Sequence, residues 1–186
     1  MNPSYPLSEF LKRKGLIWEM AQTHTQKNPS LEDLESHLSS KLQEISDWHQ
    51  KDQITFGECF RSRINIVMSC YLSAILLGLE KLPHGDTEKD KVFAKVVDEF
   101  PVFLGKSDLT IEDLTKPLHK LFYYGVDKRN KKLGYTSSKR ELSDTCKHCR
   151  DCKSFPLLGW QPLGVVPLPG TRCNCKNNCR CSIKYR

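Results

Sequence analysis

The sequence predicts a mainly α protein: an N-terminal helical bundle followed by a small, irregular α/β, cysteine-rich module that binds zinc. Three observations carry this. Apolar residues recur at three- and four-residue steps behind Ser/Thr-x-x-Asp/Glu pairs over the first two-thirds of the chain. One stretch there is apolar nearly all round. The last 41 residues hold seven of the nine cysteines.

The elements follow in order. Leu7, Phe10, Leu11, Leu16, Ile17 and Met20 give a helical stripe over residues 7–25, broken near Gly15. Asn28-Pro29-Ser30 separates it from the next helix, which Ser30 and Asp33 cap and in which Leu31, Leu34, Leu38, Leu42, Ile45 and Trp48 share a face. Thr55 and Glu58 start a third helix that runs to about Leu82, where Pro83-His84-Gly85-Asp86 stops it. Its middle, Ile66 to Leu79, is too short for a membrane span of about 20 residues and is flanked by charges, so it reads as the buried centre of the bundle. Thr87 and Asp90 start a fourth helix through Phe100, ended by Pro101. Thr110 and Asp113 start a fifth through Tyr124, with a kink or late start at Pro117 and a stop at Gly125. The helical domain is therefore placed at residues 1–125, and a basic arm with the cysteine module at 126–186. Residues 126–140 are polar and basic and read as a hinge, an arm or a ragged strand pair.

The module opens Cys146-Lys-His-Cys149-Arg-Asp-Cys152 and closes Cys173-Asn-Cys175-Lys-Asn-Asn-Cys179-Arg-Cys181. Thiolates two or three residues apart grip one ion through a tight turn, and a second pair from a distant hairpin completes a tetrahedron. Cys149 and Cys152 are the expected first pair. Two or three of Cys175, Cys179 and Cys181 are the expected second, with Cys146 and Cys173 as substitutes and His148 as a neighbour. No secretory signal is expected at Met1-Asn-Pro-Ser-Tyr-Pro-Leu, so reduced, metal-binding cysteines are favoured over disulfides or free thiols. Four thiolates leave no position for a reactive water, which makes the site structural. Prolines and glycines between Phe155 and Gly170 forbid a long helix there. Cys59 and Cys70 read as ordinary buried residues.

Charge is divided unevenly. Residues 125–186 carry a net +10 and the rest a net −3, within a total of +7. Lys128, Arg129, Lys131 and Lys132, with Lys139 and Arg140, form basic clusters that could contact nucleic acid or an acidic protein surface. No Gly-x4-Gly-Lys-Ser/Thr or Gly-x-Gly-x-x-Gly motif is present, so nucleotide binding has no support. No cysteine sits in a motif with a general base, and the remaining histidines are scattered, so the chain is not expected to be an enzyme.

Tyr124-Gly-Val-Asp-Lys-Arg129, Cys149-Arg-Asp-Cys152, Gly159-Trp-Gln-Pro-Leu163 and Asn178-Cys179-Arg-Cys181-Ser-Ile-Lys-Tyr185 together resemble the end of tailed-phage minor head proteins. This is the head-morphogenesis family related to the F protein of phage Mu. The resemblance covers residues 124–186. Many members have His-Pro-Asn before Cys-Arg-Cys, where this chain has Lys176-Asn177-Asn178; Cys175 would then replace the histidine as a ligand. The resemblance implies a non-enzymatic virion protein near the portal vertex, assembled in the host cytoplasm in several copies. Its implied partners are the portal, the major capsid protein and packaged DNA, contacted without sequence preference. It implies no membrane. A zinc-dependent nucleic-acid-binding regulator is the alternative expectation.

Overall fold

The computed structural model describes residues 12–80, 82–100, 110–143, 149–169, 172–175, 179 and 181–186. Five long helices come first: α1 (Lys14–Gln26), α2 (Leu31–Gln50), α3 (Phe56–Leu79), α4 (Asp86–Glu99) and α5 (Ile111–Lys132). The C-terminal part contains β1 (Ser137–Glu141), a short helix α6 (Arg150–Ser154) running into a 3-10 turn (Phe155–Leu158), β2 (Gln161–Pro162) and β3 (Ser182–Tyr185). The protein is thus mainly helical with a small strand-containing, cysteine-rich end. Leu7, Phe10, Leu11, Pro101, Cys146, His148 and Asn178, to which the sequence assigns roles, lie outside the described residues.

Local chemistry sets the helix starts. Ser30 Oγ accepts from Asp33 N at 3.1 Å while Ser30 N donates to Asp33 Oδ2 at 2.9 Å. Thr55 with Glu58 and Thr110 with Asp113 repeat this reciprocal cap on α3 and α5. Each satisfies two backbone groups that a bare helix end leaves open. α4 differs from expectation: it begins at Asp86 after Gly85 and has no side-chain cap, so Thr87 lies already inside it. α3 stops at Leu79 rather than Leu82, because Glu80 turns into the left-handed region (φ 57°).

α3 is the centre. It packs against α1, α2, α4 and, most extensively, α5. Met68, Cys70, Tyr71, Leu72, Ala74 and Ile75 on it are fully buried. It is long and apolar enough to cross a membrane, but 78% of its apolar window is covered by the other helices. Its buried polar groups find partners: Tyr71 Oη donates to Leu114 O of α5 at 2.9 Å and Ser73 Oγ to Ser69 O at 2.8 Å. Glu99 on α4 takes both Lys95 and Lys120 at 2.8–2.9 Å, which ties α4 to α5.

Gly125 does not end α5. The helix continues to Lys132, so the boundary drawn at 125/126 falls inside it and the first seven residues of the supposed arm are helical. The reason is packing. A Cβ on Gly125 would overlap Ile75 O and stand 3.0 Å from Leu79 N; one on Gly78 would overlap Phe122 O and stand 2.8 Å from Val126 N. The two glycines let the backbones of α3 and α5 touch. Pro117 sits buried within α5, where it removes one ladder bond without ending the helix.

The three strands form one antiparallel sheet in the order β2-β1-β3. Arg140 pairs with Ile183 and Ser138 with Tyr185. Side chains alternate along β1, so Ser138 and Arg140 face inward while Lys139 and Glu141 lie on the wetter face. Tyr185 Oη donates to Asp127 Oδ1 of α5 at 2.9 Å, joining the sheet to the helices. Trp160 lies under two cations, Lys139 at 5.2 Å and Arg186 at 4.5 Å from the ring centroid.

Candidate metal centre

Three pieces of chain converge on one point. Cys149 precedes α6 and Cys152 lies in its single full turn, so the Cys-x-x-Cys step brings both sulfurs to one side. Cys173 and Cys175 come from the loop after the 3-10 turn and β2. Cys179 and Cys181 lie on the approach to β3. Asn174 N donates to Asp151 Oδ2 at 3.1 Å and holds that loop against α6.

The sulfurs of Cys149, Cys152, Cys173 and Cys175 all lie within 4.8 Å of one another, and those of Cys152, Cys179 and Cys181 do likewise. Cys152 Sγ is 3.6 Å from the sulfurs of both Cys175 and Cys179. A tetrahedron with metal–sulfur bonds of about 2.3 Å has edges of about 3.8 Å. A disulfide needs about 2.05 Å. The eight described cysteines are free thiols. The donor set is all sulfur, which suits a borderline or soft ion and disfavours calcium or magnesium.

The five ligands expected from the sequence, Cys149, Cys152, Cys175, Cys179 and Cys181, therefore all belong to this cluster. Cys173, expected only as a substitute, completes the first group of four and is buried. The sulfurs form this part's own core, with Phe155 packed against them.

The cluster also contains a residue that the sequence reading assigned elsewhere. Arg140 is only 1% exposed. Its Nη2 donates to Cys179 Sγ at 2.8 Å and reaches Cys152 and Cys173 at 3.6 Å. Nη1 donates to Pro167 O at 2.8 Å, and the guanidinium stacks 4.9 Å from the Phe155 ring centroid. Burial alone would lower its pKa, but the sulfurs of Cys179, Cys173 and Cys181 outweigh burial and raise it. Arg140 is thus a buried hydrogen-bond donor to the sulfurs and not part of a basic surface. Strand alternation is the signal that could have found it: one of Lys139 and Arg140 had to face inward.

The thiols hold their protons unequally. Burial raises the Cys149 thiol, but donors around it, led by the Cys152 backbone, bring it down to about 6. Burial and then the neighbouring sulfur of Cys179 push Cys152 up. Tyr123 of α5, beside Cys179, is raised to about 12, mainly by burial.

The expected contact cations fall at the far end of α5. Lys128 and Lys132 face Glu88 at 3.9 and 3.8 Å, and Arg129 pairs with Glu80. Lys128 also lies over the Tyr124 ring at 5.3 Å. Lys131 is exposed on another side of the helix. Three of the four are thus engaged by carboxylates of α4 and of the end of α3. They line an open groove of about 480 Å³ with Leu79, Leu82, Pro83 and Val92.

No family model, no curated protein and no solved structure matches the chain.

Proposed function

We propose that this chain is a non-enzymatic structural protein of a phage particle, a minor head protein of the portal vertex, whose C-terminal part is held together by a structural zinc ion. The observation that carries the structural role is the all-sulfur cluster with the Arg140 guanidinium inserted into it. Four thiolates fill a zinc ion's coordination sphere and leave no position for a substrate or reactive water. A buried guanidinium offsets the excess negative charge of such a centre and contributes no nucleophile. Zinc is the ion this donor set and spacing favour. Cys149, Cys152, Cys173 and Cys175 would hold it, with Cys179 and Cys181 beside them. Once bound, it would fix α6, the 172–175 loop and the start of β3 to one another.

The virion assignment rests on the resemblance of residues 124–186 to minor head proteins. The helical part would be the surface docked on the portal or major capsid protein, in several copies. Packaged DNA would meet only a weak, salt-dependent attraction, since Lys128, Arg129 and Lys132 already face carboxylates.

Two measurements test the reading. Protein purified under reducing conditions should carry about one zinc ion per chain at the C-terminal cysteines. Antibody against the chain should find it in purified particles after the DNA has been released. Disulfides among these cysteines in place of zinc would overturn the metal assignment. Absence from particles, with tight binding to one DNA sequence, would replace the virion role by that of a zinc-dependent regulator.

A further inference from the structure

A second cluster of metal-binding side chains lies inside the helical part, remote in sequence from the C-terminal cysteines. His24 in the last turn of α1, His37 in α2 and Cys70 in the centre of α3 each offer a donor atom, and the three atoms lie within 4.8 Å of one another. The imidazole centroids are 4.5 Å apart with an interplanar angle of 66°, so the rings meet edge to face and do not stack. His37 Nε2 is buried and has no hydrogen-bond partner among the described residues. A buried ring nitrogen without a partner is costly in a native protein, and a ligand is one remedy.

The neighbours favour ligation further. Ser73 Oγ lies 3.5 Å from His24 Nδ1 and carries one proton, which it donates to Ser69 O at 2.8 Å. With that proton engaged by backbone carbonyls, the Ser73 oxygen offers a lone pair to His24 Nδ1–H, the tautomer that leaves Nε2 free for a ligand. A hydrogen-bond partner on one ring nitrogen commonly orients the other toward a metal.

We infer that His24, His37 and Cys70 form a second metal site, for a borderline or soft divalent ion such as zinc, which pins α1, α2 and α3 together. The site offers two neutral nitrogens and one thiolate. Binding releases the Cys70 thiol proton to solvent and forms one metal–sulfur and two metal–nitrogen bonds. Both histidines are only half-buried, so solvent reaches them and water can complete a four-coordinate sphere.

The probe is Co2+ added to the full-length chain carrying one equivalent of zinc, which the all-sulfur cluster takes first, with a zinc-sensitive dye present. Thiolate-bound tetrahedral cobalt gives a sulfur charge-transfer band and intense visible bands. The expected result is one further equivalent of Co2+ bound with a sulfur band and no release of zinc. Cys70→Ala should abolish the band. Because Cys70 is a core residue, His37→Gln and His24→Gln provide the second arm: each changes a half-buried side chain and should weaken Co2+ binding by about ten-fold or more. Excess Zn2+ should raise the melting temperature of the helices in the native chain and not in the double histidine variant. The inference is overturned if added Co2+ gives no sulfur band, if the band appears only as zinc is released, or if it survives both histidine substitutions. None of these outcomes depends on whether the chain is a virion protein.

Discussion

Arg140 puts a fixed cation among the clustered sulfurs. Its guanidinium supplies fixed donors to three sulfurs, and a lysine ammonium cannot reproduce that fork. Arg140→Met should weaken zinc binding by about 10–100-fold, the usual effect of losing an outer hydrogen-bond partner. Arg140→Lys should recover only part of that, and competition with a chromophoric chelator measures both. Identical affinity in Arg140→Met and the native chain would show the guanidinium to be a bystander. The sequence identified the cysteines because their spacing is a local signal. It did not identify Arg140, whose partners are 12 to 39 residues away and whose neighbour Lys139 disguises it as half of a basic pair. Spacing says which cysteines can share an ion, but not which the intervening loop brings inward, as it does Cys173.

The helices were legible where their ends carry reciprocal caps. Ser30–Asp33, Thr55–Glu58 and Thr110–Asp113 all form as expected. The capping hydrogen bonds depress the Asp33 and Glu58 carboxyls, and at Asp113, with Lys116 contributing first, the carboxyl is held at about 2. A depressed native pKa means that the unfolded chain binds protons first as pH falls. The stabilisation is therefore complete above about pH 5 and is lost as pH drops toward 2. Replacing Asp33, Glu58 and Asp113 with their amides should flatten the acid limb of a urea-denaturation series, and an unchanged limb would refute the assignment. Gly125 was misread because glycine has two uses, ending a helix and letting another backbone come close, and only the partner helix distinguishes them. Gly78→Ala and Gly125→Ala would each favour an isolated helix by up to about 1 kcal/mol. The overlap with backbone atoms of the facing helix should dominate and destabilise the protein by about 2–3 kcal/mol. Equilibrium unfolding in urea reads the sign directly.

The whole molecule has two cores of unlike kind, and this difference governs its response to metal removal. The helical core is a continuous apolar cluster from Ile17 to Leu121, built on α3 and needing no ion at the C-terminal cysteines. The C-terminal core is four buried cysteines with Cys149, Cys175 and Phe155 against them, together with the Arg140 guanidinium. A region whose described apolar side chains are largely exposed or half-buried, as Leu157, Leu158 and Val165 are, has little hydrophobic stabilisation, so metal binding and folding there should be one event. Without an ion, the clustered sulfurs are held together by weak hydrogen bonds among themselves and to the guanidinium, which is also anchored on Pro167 O. A strong chelator should therefore unfold β1, α6 and β3 while most of the far-ultraviolet helical signal remains. Hydrogen exchange should show amide protection lost from Ser137 onward and retained in α3. The last two turns of α5 should loosen in part, because Tyr185 holds Asp127 and the sheet is what positions Tyr185. Restoring zinc should restore protection in the strands and in that stretch of α5 together. If instead the helical signal disappears in the same cooperative step as the strands, the two cores are energetically one, and the metal supports the fold of the entire chain.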